Sequence, residues 1–171
     1  MDKTISSVHD RWLNTITLVL GYLWLVSGLD KILSGEFVSG FADYVSLQIA
    51  EAPIVPWYNS FLSSFVMPNS VLAANSIQYA EFFIGAILVL ASIWNFISHS
   101  RFAHYALAWA SVISFVFVLN IILASGASFP IVDAEEVFEE GVNLDFVVLF
   151  LSFFLALSNF SEARLEKIKN L

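Results

Sequence analysis

The sequence predicts an all-α integral membrane protein: a four-helix bundle with short amphipathic interfacial helices in its first external loop. Three observations predict it. Of 171 residues, 58% are hydrophobic and only 13% are charged, where a soluble domain carries about 25% charged residues. The mean hydropathy is +0.79. Four continuous apolar runs, at about 12–33, 71–97, 102–124 and 144–160, approach or exceed the ~20 residues needed to cross a bilayer.

The same composition excludes other classes. Disorder needs low hydrophobicity and high charge. Seven basic residues against fifteen acidic ones give a net charge of -8, the wrong sign for nucleic acid. There is no cysteine, so disulfides, Cys-ligated clusters and thiol redox chemistry are out. Neither Gly-rich phosphate loops nor the familiar soluble catalytic motifs occur.

Each span must be a helix, because lipid offers the backbone no hydrogen-bond partner. The first span is too long for the apolar part of a cleaved signal peptide, and no Ala-x-Ala site follows it. Six of the seven basic residues (Lys3, Arg11, Arg101, Arg164, Lys167 and Lys169) flank the spans on one side, and only Lys31 is on the other. Both termini are therefore expected in the cytoplasm, with the chain forming a single membrane domain over 1–171. Residues 161–171 form a cytoplasmic tail and 125–143 an acidic external loop. That loop carries Asp133, Glu135, Glu136, Glu139 and Glu140 without a basic residue. It reads either as a solvated, self-repelling segment or as a docking site for a basic partner or a cation.

The external segment 34–70 is too long for a structureless loop, and it is not polar. Phe37, Phe41, Tyr44, Val45 and Ile49 recur at helical spacing, as do Tyr58, Phe61, Leu62, Phe65 and Val66 between Pro56 and Pro68. Two short surface helices are expected, with Trp57 and Tyr58 at headgroup depth.

Glu81 lies about ten residues into span two, ~15 Å deep at 1.5 Å per residue. A carboxylate there costs at least ~2.5 kcal/mol, so it should face the bundle interior beside a partner or keep its proton. Asn75, Gln78, Glu81 and Gly85 form one helical stripe. Span one offers a matching face of Asn14, Gly21 and Gly28, spaced by seven, with Lys31 three residues on. Small residues let helices approach closely in lipid, and the long Lys31 stem can reach inward to Glu81. Asp30 competes for the same ammonium. On span three, Ser111 and Ser114 share a face and Asn120 lies near the outer end. Two readings of Glu81 stay open: interhelical ion-pair glue, or a ligand or proton group. His9, His99 and His104 all fall near the cytoplasmic side with no facing pair, so no metal or haem site is expected.

Three stretches resemble the DoxX/DoxD-like membrane protein family. Ser27-Gly28-Leu29-Asp30-Lys31-Ile32-Leu33 is similar to the family's Gly-Leu-x-Lys-Leu ending of span one, with Ile32 for the last Leu. Pro56-Trp57-Tyr58-Asn59-Ser60-Phe61-Leu62, followed by Met67-Pro68-Asn69, resembles the Pro-Trp-Tyr…Phe-Leu…Pro-Asn segment of the DoxD branch. Ala80-Glu81 with Gly85-Ala86-Ile87-Leu88 resembles its Gly-Glu…Gly…Leu start of span two, with Ala80 for Gly. Asn143-Leu144-Asp145 is a weaker echo before span four. The likeness covers most of 11–125.

The resemblance implies a four-helix membrane subunit. In the DoxD branch that subunit belongs to thiosulfate:quinone oxidoreductase, accompanied by a DoxA-type part, of which none is expected within this chain. Quinone would then be the cofactor. Glu81 and Lys31 would be the catalytic pair, while Asn75, Gln78, Trp57 and Tyr58 would line the pocket. The runner-up is a non-catalytic accessory or assembly subunit of a larger membrane complex, favoured by the lack of any redox centre in the chain. In both readings the partners are the lipid bilayer and a protein subunit. A proton-coupled carrier fits less well, because no proline interrupts a span and no inverted repeat is visible.

Overall fold

The structure is a computed structural model of the chain and describes residues 3–51, 55–98, 100–125 and 144–169. Every element among them is helical. Helix α1 is Lys3–Ser34, α2 is Glu36–Glu51 and α3 is Pro56–Phe61. A π-helical turn, Leu62–Val66, and a 3-10 turn, Met67–Asn69, join α3 to α4, Ser70–Ser98. Helix α5 is Arg101–Ser125 and α6 is Leu144–Lys169. Segments of α1, α4, α5 and α6 are long and apolar enough to cross a bilayer, as expected from the four runs. The acidic run from Asp133 to Glu140 lies outside the described residues, as does Asn143.

Exposed side chains on these helices are apolar: Phe83 is 58% exposed, Leu90 67% and Phe154 61%. On a soluble bundle such faces would form a continuous sticky surface. Against lipid they cost nothing, and the chain is an integral membrane protein. Two helices outrun their spans. Helix α1 begins nine residues before the expected Trp12 and α6 continues nine beyond Phe160, because a helix propagates through polar residues once a membrane-held segment has nucleated it.

The spans pair up. Helix α1 packs most extensively on α4, and α5 on α6, while α4 joins the two pairs and α1 barely meets α6. The main core holds Leu20, Trp24, Leu88, Leu107, Val118 and Leu155. With four spans, the start of α1, the end of α6 and the α4–α5 junction share one end of the bundle, called here the terminal end. The opposite end is the distal end.

The distal end is capped. Phe41 and Val45 of α2 pack with Tyr58 and Leu62 against Ala74 of α4, with Leu123 and Ala124 of α5 alongside. The two helices expected in 34–70 are present, but the second is not a separate surface helix. The junction residues Phe61, Leu62, Val66, Met67 and Ser70 all keep right-handed helical dihedrals, so the chain stays helical from Pro56 to Ser98. A straight rod would carry Tyr58 about 18 Å past Ser70. Instead its hydroxyl meets Asn120, five residues inside the end of α5, so the rod bends back over the bundle. Pro68 does not end the helix because it opens the 3-10 turn, where no intrahelical donor is required of it.

Gly35 makes the turn from α1 into α2 with φ +68°, a left-handed conformation that costs an L-residue roughly 1–2 kcal/mol. Nothing lies within 4 Å of a Cβ built there, so the cost is purely conformational. Gly35→Ala is expected to lower stability by about 1 kcal/mol. Equilibrium unfolding in a fixed detergent checks this, and an unchanged midpoint would refute it.

Candidate functional site

Backbone contact between α1 and α4 positions the site. A Cβ at Gly28 would fall 2.4 Å from the Phe82 nitrogen, and one at Gly85 2.3 Å from the Leu25 nitrogen. The heptad-spaced glycines of α1 and the glycine of the α4 stripe therefore meet, and at this separation short side chains bridge the helices.

One turn beyond Gly28, Lys31 Nζ lies 2.5 Å from Glu81 Oε2. Ser27 completes the group: its hydroxyl donates to Glu81 Oε2 at 2.8 Å and accepts from Lys31 Nζ at 2.8 Å. Glu81 is only 3% exposed, while the Lys31 side chain keeps 24% of its surface. The ion pair thus has a dry end in the bundle and a wet end outside it. Ser27 went unnoticed in the sequence, although its place four residues before Lys31 puts it on the same face.

The wet end opens into a cleft of about 440 Å³ between α1 and α2, lined by Asp30, Lys31, Ser34, Glu36, Phe37, Gly40, Phe41 and Tyr44. Lys31 Nζ stands 5.4 Å from the centre of the Phe37 ring, a cation–π distance. Asp30 lines the cleft and is exposed, whereas Lys31 pairs with Glu81.

The other expected pocket residues are distributed differently. Gln78 is buried on the Glu81 face of α4, and its Nε2 donates to Asn75 Oδ1 at 3.1 Å. Asn75 is half-buried and its own amide donates back to the Val71 carbonyl. The Gln78 Oε1 is buried without a partner. Tyr58 is buried, its hydroxyl 3.3 Å from both Asn120 Oδ1 and the Asn120 carbonyl. Trp57 is 63% exposed and meets Tyr58 edge to face. Neither Trp57 nor Tyr58 lines the cleft, so the structure joins Lys31 with Glu81, and Asn75 with Gln78, while placing Tyr58 against α5 and leaving Trp57 exposed.

No protein-family model matches this chain, and neither does any curated protein or solved structure. The chemistry of the site is carried by its own groups. An ammonium has three donors, and Ser27 and Glu81 engage two of them. The third is available to an acceptor in the cleft. Charge sets what that acceptor can be. Glu81 compensates Lys31, and Asp30 and Glu36 remain, so the cleft is net negative and repels anions.

Deeper in the bundle, polar groups cluster twice more. Trp24 Nε1 donates to Ser114 Oγ at 2.8 Å, and Ser114 and Ser152 share a hydrogen bond of 2.8 Å, tying α1, α5 and α6 together. At the terminal end, Asn14, Asn95, His104 and Asn159 bring all four spans to one imidazole. Asn95 Nδ2 donates to Asn14 Oδ1 at 3.0 Å and lies 3.3 Å from His104 Nε2. His104 Nδ1 is 3.1 Å from Asn159 Oδ1. Each of the four is at most 4% exposed. Leu20, Leu88 and Leu107, all essentially buried, separate this cluster from Glu81. The signal in the sequence was depth: counted from the terminal ends of their spans, the four polar residues lie at similar heights.

Proposed function

We propose that this chain is a quinone-binding membrane subunit of a redox complex in the cell membrane, with both termini in the cytoplasm and its cleft facing outward. One observation carries the reading. Lys31 stands between a buried carboxylate and an aromatic-walled cleft, with one ammonium donor left for a ligand.

A quinone head group suits such a place. It is uncharged, so the negative rim does not repel it. Its ring matches the Phe37, Phe41 and Tyr44 wall, and its carbonyl oxygen accepts a charge-assisted hydrogen bond from Lys31. The cleft volume lies within the usual range for small-molecule sites, ~300–1,000 Å³. Bound quinone supplies reversible two-electron, two-proton chemistry. The chain holds the ring, and Lys31 with Ser27 links the ligand oxygen to Glu81, a group able to hold a proton. Electrons come from a partner subunit with its own redox centre. The DoxD-like stretches support this membership. The negative cleft argues that thiosulfate, an anion, is oxidised on that partner rather than here.

The accessory reading is favoured by the position of the pair, which bridges α1 and α4 whether or not a ligand binds. Ligand titration of the purified chain in lipid nanodiscs separates the two. A water-soluble short-chain quinone should quench tryptophan fluorescence saturably, and Lys31→Met should weaken binding by about tenfold or more. A folded protein that binds no quinone would establish the accessory role.

A further inference from the structure

Independently of the quinone reading, we propose that the α5–α6 face at the terminal end binds one anionic phospholipid. Its headgroup phosphate is held between Arg101 and Arg164, and its acyl chains lie along an aromatic ladder below them. The ladder is a chain of ring contacts. Arg101 stands over the Tyr105 ring, 5.5 Å from its centre. Tyr105 meets Phe160 of α6 edge to face at 6.4 Å, and Phe160 meets Trp109 in the same way at 5.6 Å. Arg101, Tyr105 and Trp109 are spaced by four and form one stripe on α5. Arg164 follows Phe160 by four and extends the α6 side of the ladder toward the terminal end.

The two cations are uncommitted. Both arginines are exposed, and among the described residues no carboxylate pairs with either. The nearby acids are turned away. Helix α5 has none. On α6, Glu162 and Glu166 lie two and six residues beyond Phe160. At 3.6 residues per turn that is about 200° and 240° around the helix, whereas Arg164 is about 40° from Phe160. Glu162 has an interaction of its own.

The arrangement selects the ligand. Two guanidinium forks at one end of a bundle suit a phosphate, which each can bind through paired donors. At 1.5 Å per residue, Tyr105 is about 6 Å and Trp109 about 12 Å further into the membrane than Arg101. Trp109 is 59% exposed, and Tyr105 and Phe160 are half-buried, so the rings are open to an acyl chain. A free anion would use the arginines and leave the rings bare. A zwitterionic lipid would use the rings, but its own ammonium offsets its phosphate. An anionic lipid uses both. Charge directs it to this end, where six of the seven basic residues gather, and away from the net-negative cleft at the other.

Native mass spectrometry of the full chain tests this, with the protein stripped of lipid in detergent and titrated with phosphatidylglycerol or phosphatidylcholine. One phosphatidylglycerol should bind per chain at a concentration about tenfold or more below that needed for phosphatidylcholine of the same chain length. Arg101→Gln with Arg164→Gln should weaken phosphatidylglycerol binding by about tenfold or more and leave phosphatidylcholine unchanged. Arg11→Gln removes an exposed arginine of the same end on α1, and it should change neither. Brominated acyl chains give a second reading on the unaltered protein. Brominated phosphatidylglycerol at low mole fraction in phosphatidylcholine nanodiscs should quench tryptophan fluorescence, and Trp109→Phe should remove most of that quenching. Glycerol phosphate should not displace the lipid. Equal affinity for the two lipids, an Arg11→Gln loss as large as that of the double variant, quenching unchanged by Trp109→Phe, or displacement by glycerol phosphate would each overturn the proposal.

Discussion

Replacing Gly85 with alanine is expected to separate α1 from α4 and to cost about 2 kcal/mol or more of stability. The added methyl would fall 2.3 Å from the Leu25 nitrogen, 2.6 Å from the Leu25 Cα and 2.8 Å from the Gly21 carbonyl oxygen. These are all backbone atoms, so no rotamer change relieves the clash and one helix must move. Alanine favours the helix by roughly 0.8–1.0 kcal/mol over glycine, which the lost packing has to exceed. It should, because close van der Waals approach is what holds helices together in lipid, where no hydrophobic force acts between them. Gly40→Ala is the matched control. Gly40 is an exposed α2 residue with nothing within 4 Å of its would-be Cβ, and alanine there should stabilise by about 0.5–1 kcal/mol. Reversible unfolding in mixed micelles measures both. A Gly85→Ala protein as stable as the parent would show that the glycine seam does not hold the bundle.

Lys31→Met should be similarly costly. Methionine keeps the aliphatic reach of lysine but leaves a buried carboxylate, 3% exposed, to the Ser27 hydroxyl. Removing one member of a buried ion pair typically costs about 3–5 kcal/mol. The double variant Lys31→Met, Glu81→Leu removes both charges, and its stability should return close to that of the parent or exceed it, since an apolar pair of similar volume carries no desolvation penalty. A ledger of the two singles and the double gives the coupling directly. If Lys31→Met alone proved neutral, the Lys31–Glu81 contact would be a surface pair of little energetic weight. Quinone affinity in the stable double variant then asks whether the ligand needs Lys31 itself or only an intact bundle.

The architecture was legible because a bilayer imposes length. Four apolar runs had one reading, and the seven-residue spacing of Gly21 and Gly28 announced a close seam before any partner was known. The Lys31–Glu81 pair was legible only in part: a carboxylate ten residues into a span needs a partner or its proton, and Lys31 was the only basic residue at that end, but Asp30 stood beside it as a rival. What stayed hidden depended on relations between helices. Asn14, Asn95 and Asn159 are unremarkable singly, and only the relative heights of four spans bring them to His104. Pro68 suggested a helix end, yet in the first turn after a π-turn it interrupts nothing. Trp57 and Tyr58 were legible as neighbours of the membrane surface. That the rod bends so that Tyr58 reaches α5 was not, because the periodicity of a bent helix is the same as that of a straight one.

The Lys31–Glu81 pair is fifty residues apart along the chain, and this separation bears on how the protein is made. At roughly 5–20 residues per second, a ribosome needs about 3–10 s to travel from Lys31 to Glu81. During that interval α1 waits in the membrane with an uncompensated charge. The order of the two charges makes the wait tolerable. Lys31 is three residues from the end of its helix, and its flexible stem lets the ammonium rest among water and headgroups. Glu81 sits well inside α4, where no such refuge exists. Synthesis therefore delivers first the ion that can stay wet, and the one that cannot arrives with its counterion already at hand. Exchanging the two residues would keep the finished pair but strand a carboxylate on α1 and send a lysine into the depth of α4, a protein with the same contacts and a harder birth.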